Sequence, residues 1–140
     1  MTYRHEPTLA EMKAEALRLL PMLREMLPFQ ERVGQIKIVR RMPEEKIAEY
    51  ELFEDADGGD YVDITISTEF LKRNGNWKIA VLTRLGHEFY HVRTLQAEAN
   101  ARDGSSGEEC IFDKNISDFW EASAEAVESV LHYMATHYQL

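Results

Sequence analysis

The spacing of the apolar residues changes along this 140-residue chain, and that change limits the folds it can adopt. In residues 7–27, 77–100 and 117–138, apolar residues recur every three to four positions, which is the period of one helix face. Between residues 35 and 68 they alternate with polar residues, which is the period of a half-buried β-strand. The pattern predicts an α+β domain with one helix before the strands and two helices after them.

The strand region divides into three short segments, marked by Ile36, Tyr50 and Ile64. Residues 41–45 separate the first two segments, and residues 54–60 separate the second two. Such short connections do not hold a crossover helix. We therefore expect a three-stranded antiparallel meander.

Capping residues mark where two of the helices begin. Thr8 precedes the N-terminal helix and Glu11 lies three residues later, which is the spacing of a capping box. Pro21 lies inside this helix, so we expect a kink or a break there. Asn76 is placed to cap the second helix, which begins at Trp77.

The second helix is apolar around more than half of its circumference, which is typical of a central, buried helix. We expect it to pack between the meander and the C-terminal helix, with both its Leu82/Phe89 flank and its Val81/Leu85 flank buried. Residues 102–115 are rich in glycine, serine and acidic residues, and they are expected to form a surface loop.

Composition and charge exclude several classes of protein. The chain carries 16 Lys and Arg against 25 Asp and Glu, a formal charge of −9, so neither nucleic acid nor an anionic membrane is expected as a partner. No apolar run approaches the ~18 residues of a membrane span, and no apolar signal core follows the N-terminus. One cysteine, Cys110, excludes an internal disulfide. These features predict a single cytoplasmic domain over residues 1–140.

The segment His87-Glu88-Phe89-Tyr90-His91 lies within the predicted second helix. Histidines four positions apart lie on the same helix face, so both imidazoles can bind one metal ion. Imidazole nitrogen is a preferred ligand of zinc. Glu88 lies beside this face, too offset for a natural third ligand but placed to act as a general base on a water at the metal.

A catalytic zinc site has a third protein ligand and one open position. The third predicted helix carries Glu121, Glu125, Glu128 and His132 on one stripe. At about 1.5 Å per residue, Glu128 and His132 lie roughly 10 and 16 Å along the axis from Glu121, too far to share one ion with it. Glu121 and Glu125 are about 6 Å apart, so one of them can bind the metal while the other orients a histidine.

The two-histidine motif, separated by 29 residues from Glu121-Ala-Ser-Ala-Glu125-Ala, resembles the gluzincin zinc metallopeptidases. The small size and the preceding strands are also similar to minimal gluzincins and to proteases of the ImmA/IrrE type. The likeness spans roughly residues 61–134. Two positions depart from it, since Trp120 replaces the asparagine of thermolysin-like enzymes and Ser123 replaces that of ImmA/IrrE-type sequences.

The resemblance implies a minimal zincin-like fold and a zinc-dependent peptidase, an endopeptidase rather than an exopeptidase, that acts on a peptide or protein. It assigns His87, His91 and Glu121 as ligands of one zinc ion per chain. It assigns Glu88 as the base that takes a proton from the attacking water, and Glu125 as the support for a ligating histidine.

In this family the substrate pairs as an added strand at the sheet edge nearest the site. The strand just before the motif helix is the expected substrate-binding edge, and it comprises Tyr61, Val62, Asp63, Ile64, Thr65, Ile66 and Ser67. The donor that would stabilise the oxyanion is open among Tyr50, Tyr61 and Tyr90.

Two alternatives come from other functional classes. A non-catalytic metal-containing binding or regulatory protein could keep the same fold, and a closed fourth coordination position would distinguish it from a peptidase with an open position beside a groove. A di-iron carboxylate site in a helical bundle needs a second Glu-x-x-His, which this chain lacks. The strand region also argues against a bundle.

Overall fold

A computed structural model of the protein describes residues 6–72, 76–103 and 109–138. The α+β class expected from the sequence is confirmed, with three long helices and a three-stranded sheet. In chain order the elements are α1 (Leu9–Met26), β1 (Arg32–Val39), a 3₁₀ turn (Pro43–Glu45), β2 (Ala48–Phe53), β3 (Tyr61–Ser67), α2 (Thr68–Lys72), α3 (Trp77–Asp103) and α4 (Glu109–His137).

β3 lies in the middle of the sheet, whose strand order is β1-β3-β2. It runs parallel to β1 and antiparallel to β2, so the prediction of an antiparallel meander is wrong. Val62, Ile64 and Ile66 of β3 are fully buried, whereas β2 carries exposed Glu49 and Glu51. The most apolar strand therefore takes the central place, where a neighbour covers it on each side.

α1 begins at its predicted cap. The Thr8 hydroxyl accepts a hydrogen bond from the Glu11 N–H at 3.1 Å, and the Glu11 carboxylate accepts one from the Thr8 N–H at 3.2 Å. The helix continues through Pro21 to Met26, so the expected break at Pro21 does not occur. Proline removes the helical partner of the Leu17 carbonyl, and both residues lie on the exposed side of α1, where water can hydrate that carbonyl.

α3 is the central element of the fold, as the sequence predicts. The Asn76 side-chain oxygen accepts hydrogen bonds from the N–H groups of Lys78 at 3.1 Å and Ile79 at 3.3 Å, which confirms the cap. α3 contacts α1, α4 and the sheet. Both of its flanks are buried, which confirms the predicted packing, and its core residues are Ala80, Val81, Leu82, Leu85, Phe89 and Val92.

α4 is longer than the sequence predicts. It begins at Glu109, and α3 continues to Asp103, so the expected surface loop over residues 102–115 is wrong on both sides. The glycine and serine of this segment are confined to residues 104–107, and residues 104–108 lie outside the described part of the chain, as does the side chain of Cys110. Among the described helices, none is long and apolar enough to cross a lipid bilayer.

α3 and α4 approach each other closely at Gly86. A Cβ added at Gly86 would overlap Leu131 Cδ1 on α4, and it would lie 3.8 Å from Leu23 Cδ2 on α1. Leu131 is 1% exposed and Leu23 is fully buried, so neither side chain has open space to occupy. Because His87 follows Gly86 on α3 and Glu121 lies on α4, this contact helps to set the distance between the two halves of the candidate site.

Candidate metal centre

His87 and His91 lie one turn apart on α3, as the motif predicts. Their Nε2 atoms are 3.2 Å apart, and their rings meet edge to face with centroids 4.8 Å apart. His87 is buried, whereas His91 is partly exposed. The pair is therefore enclosed by protein on one side and open on the other.

Glu121 completes this group from α4. Its Oε1 lies 3.0 Å from His87 Nε2, and its Oε2 lies 3.1 Å from His91 Nε2. Ligands held at 2.0–2.1 Å from a tetrahedral zinc ion are about 3.3 Å apart, so the spacing of these three residues suits one ion. Two imidazole nitrogens and a carboxylate oxygen also form a donor set found in catalytic zinc sites. The three residues are close enough to bind a metal ion together.

Glu128 on α4 supports the far side of the His87 ring. Its Oε2 lies 3.5 Å from His87 Nδ1, and its Oε1 accepts a hydrogen bond from Arg84 at 2.9 Å. The sequence analysis considered Glu128 only as a metal ligand and excluded it because it lies too far along α4 to share an ion with Glu121. The structure agrees that Glu128 is not a ligand, but it shows a supporting role that the sequence analysis did not consider. α4 runs back along α3, so seven residues beyond Glu121 bring Glu128 beside the part of α3 that precedes His87.

The expectation that Glu125 orients a histidine is not met. Glu125 is exposed, and among the described residues its carboxylate contacts neither His87 nor His91. Four residues rotate a helix position about 40° away from Glu121, whereas seven residues bring it almost back into line. The supporting position therefore belongs to Glu128.

Glu98 is a second supporting carboxylate, and sequence reasoning missed it. It is buried on α3, with Oε1 3.6 Å from His91 Nδ1 and Oε2 accepting a hydrogen bond from Thr94 at 3.1 Å. The sequence feature that could have revealed Glu98 is its position seven residues after His91, which is two turns along the same helix face. Each histidine thus has Glu121 beside its Nε2 and another carboxylate near its Nδ1, an arrangement that orients imidazole ligands in metal sites.

The carboxylates around His87 make this position favour positive charge. Burial lowers the pKa of His87, but the neighbouring carboxylates of Glu128 and Glu121 raise it further than burial and Arg84 lower it. Its pKa therefore lies above the ordinary value. The same negative groups would stabilise a divalent cation bound to the imidazole.

Glu88 is 5% exposed and lines a groove together with His87, His91 and Glu121. Burial raises the pKa of Glu88 above its ordinary value, and the positive charges of His87, His91 and Arg84 oppose this only in part. A raised pKa moves a carboxyl group toward the range in which a general base accepts and returns a proton efficiently.

The groove has a volume of about 500 Å³, and β2 with the turn before it forms its other wall. That wall consists of Glu45, Lys46, Ile47, Ala48, Glu49 and Tyr50. β3 (Tyr61–Ser67) is hydrogen-bonded to a strand on each side, so the prediction that it supplies a substrate-binding edge is wrong. β2 is the edge strand beside the candidate site.

The three tyrosines that the sequence left open lie in different places. Tyr50 lines the groove. Tyr61 stacks on Phe53 at 5.0 Å between ring centroids, on the sheet face that points away from the helices. Tyr90 is oriented toward α4, 6.5 Å from Trp120 between centroids. Of these three, Tyr50 is the one placed to meet a ligand in the groove.

The candidate centre combines three convergent donor atoms, two supporting carboxylates and a buried glutamate beside a sheet edge. Its geometry provides the basis for assigning a function. No model of a protein family matches this chain, and searches of curated proteins and of solved structures returned no match.

Proposed function

We propose that the protein is a zinc-dependent peptidase of the gluzincin type that cleaves peptide bonds within a chain. The observation that carries the proposal is the convergence of His87, His91 and Glu121 beside buried Glu88, in a groove that an edge strand borders. A purely structural zinc site has four protein ligands and does not need a groove or a buried carboxylate beside it.

In this mechanism His87, His91 and Glu121 hold the zinc ion. When bound, zinc lowers the pKa of a water molecule and polarises the substrate carbonyl. Glu88 accepts a proton from the attacking water and delivers it to the leaving amine as the peptide bond breaks. The burial of Glu88 supports this role because it raises the carboxyl pKa and limits exchange with bulk water.

β2 binds the substrate as an added strand in this proposal. The part of β2 beside the two histidines is Ala48 to Tyr50, and the strand continues to Phe53. A peptide paired along this edge has main-chain partners on both sides of the bond to be cleaved, which favours an endopeptidase. Tyr50 and Arg84 line the groove and carry hydrogen-bond donors of the kind that stabilise a substrate carbonyl oxygen.

Metal content and peptide hydrolysis, measured on the same variants, test this function. We expect about one zinc ion per chain after purification without chelator. Glu121→Ala should lose zinc because one of three protein ligands is gone. Glu88→Gln should keep zinc while hydrolysis falls by roughly 10²–10⁴. Glu125→Gln is the matched control, because it neutralises an exposed carboxylate on the same helix as Glu121 and should leave both readouts unchanged.

Three results would contradict the proposal. If the purified protein contained no zinc, the two histidines would have only a structural role in the core. Equal loss of zinc in the Glu88 and Glu121 variants would overturn the separation of base and ligand. Zinc bound without hydrolysis of any peptide would favour the non-catalytic metal-binding protein.

A further inference from the structure

The side chains of β2 alternate between the helices and solvent, and those on the solvent side are acidic. Tyr50 pairs with buried Ile64 of β3, so its face of β2 points toward the helices. Glu49 and Glu51 therefore lie on the opposite face, and both are exposed. Within the described residues, no strand pairs with the outer edge of β2.

Negative charge extends along the whole of this edge. Glu45 lines the groove before β2, and Glu54 follows β2 and lines a second cavity, of about 850 Å³, at the far end of the strand. Two nearby cations are already engaged. Lys46 pairs with Glu49 at 3.4 Å, and Arg93 donates to a backbone carbonyl at 2.7 Å. A ligand laid along β2 thus meets an excess of carboxylates.

Glu88 independently indicates that the groove receives a ligand. It is 5% exposed and lines the groove opposite β2, and no hydrogen-bond partner for its carboxylate is found among the described residues. Because the carboxylate opens onto the groove, it is placed to meet a polar group of a ligand bound there.

We infer that the substrate is an extended peptide with Lys or Arg at the two alternate positions that lie beside Glu49 and Glu51. This inference rests on the proposed function, since it names the peptide class for the same groove. In an added strand, side chains directly opposite each other are about 5 Å apart, and opposite charges at that distance attract while like charges repel. Period-two spacing places both basic residues on the solvent side, away from the histidines.

The same charges disfavour a second copy of the chain as the occupant of this edge. If two β2 edges paired, glutamates of one copy would lie beside glutamates of the other, which is destabilising. Charged side chains on edge strands commonly prevent self-association in this way. A basic peptide turns the repulsion into attraction.

Binding to the zinc-loaded Glu88→Gln variant tests the inference without turnover. Three labelled peptides of identical length carry Lys, Gln or Glu at the same two alternate positions, and their affinities are measured by fluorescence anisotropy. We expect the Lys peptide to bind about 10-fold more tightly than the Glu peptide, with the Gln peptide between them. The difference should shrink at about 0.5 M salt, because exposed charges are then screened.

Charge reversal locates the effect on β2. Glu51→Lys, made in the Glu88→Gln background, should remove most of the preference for the Lys peptide. Glu25→Lys makes the same change in net charge at an exposed position on α1, and it should leave the preference in place. Equal effects of the two reversals would overturn the inference, because the attraction would then come from the overall charge.

Hydrolysis by the wild-type protein separates this inference from the proposed function. Cleavage of the Lys peptide ahead of the Glu peptide would support both. Equal cleavage of all three peptides would overturn the inference and leave the peptidase in place. Charge-dependent binding that Glu51→Lys abolishes, without cleavage of any peptide, would support the basic ligand and overturn the peptidase.

Discussion

Gly86→Ala tests whether the close packing of α3 on α4 builds the metal centre. The added Cβ would overlap Leu131 Cδ1 and lie 3.6 Å from Leu131 Cγ and 3.8 Å from Leu23 Cδ2. Both leucines are buried, so α4 must move outward or Leu131 must leave its preferred rotamer. Either change alters the position of α4 relative to His87.

The expected size of the effect follows from two opposing contributions. Alanine is favoured over glycine inside a helix by about 1 kcal/mol. Overpacking a filled core costs roughly 1–3 kcal/mol. We therefore expect a net loss of about 1 kcal/mol, a fall in Tm of about 4 °C for a chain of this size. Zinc–ligand distances tolerate only about 0.2 Å, so zinc affinity should fall on the order of 10-fold.

Thermal unfolding with chelator measures the stability change, and competition with a chromophoric chelator measures zinc affinity. The Gly86→Ala/Leu131→Ala double variant is the control. Leu131→Ala alone leaves a cavity that the new Cβ partly fills, so in that background Gly86→Ala should stabilise the protein. A Gly86→Ala variant with a raised Tm and unchanged zinc affinity would refute the idea that this contact positions the site.

Three smaller effects are also expected. Glu128→Gln should weaken zinc binding by about 10–100-fold in a chelator competition, whereas Glu125→Gln should not. The hydrogen bond from Arg18 holds the pKa of Glu15 below its ordinary 4.5, although burial opposes this shift. The ion pair therefore stabilises the fold at pH values above 4.5, and this stabilisation is lost as the pH falls through the lowered pKa. Because Arg18 is half-exposed, Glu15→Gln should cost under about 1 kcal/mol at pH 7 by urea titration, and nothing below the lowered pKa. Thr8→Ala should cost about 1 kcal/mol in the same assay through loss of the cap.

Local signals in the sequence predicted the parts of the fold that depend on near neighbours. The caps at Thr8 and Asn76 could be predicted because each side-chain oxygen accepts hydrogen bonds from backbone N–H groups no more than three residues away. The convergence of His87 and His91 follows from the helix period. Glu121 required a long-range contact between two helices, and its prediction came from the family resemblance, with which the geometry agrees.

The features that the sequence did not predict depend on how separate elements meet. The order β1-β3-β2 depends on which strand buries the most apolar surface, and short connections do not reveal this. Glu128 supports His87 because α4 lies back along α3, and Glu98 supports His91 because its side chain folds back along α3 toward the histidine. Because β3 is central, the proposed substrate-binding edge is β2 instead.

The central place of β3 also affects how the chain can fold during synthesis. β1 and β2 are made first, yet both of them pair in the native sheet with β3, which follows them. A nascent chain that ends before residue 61 therefore holds two strands without their native partner, and any pairing between them must be undone later. Sheet assembly must wait until Tyr61–Ser67 has left the ribosome, and a fragment truncated after residue 60 should retain no native strand pairing.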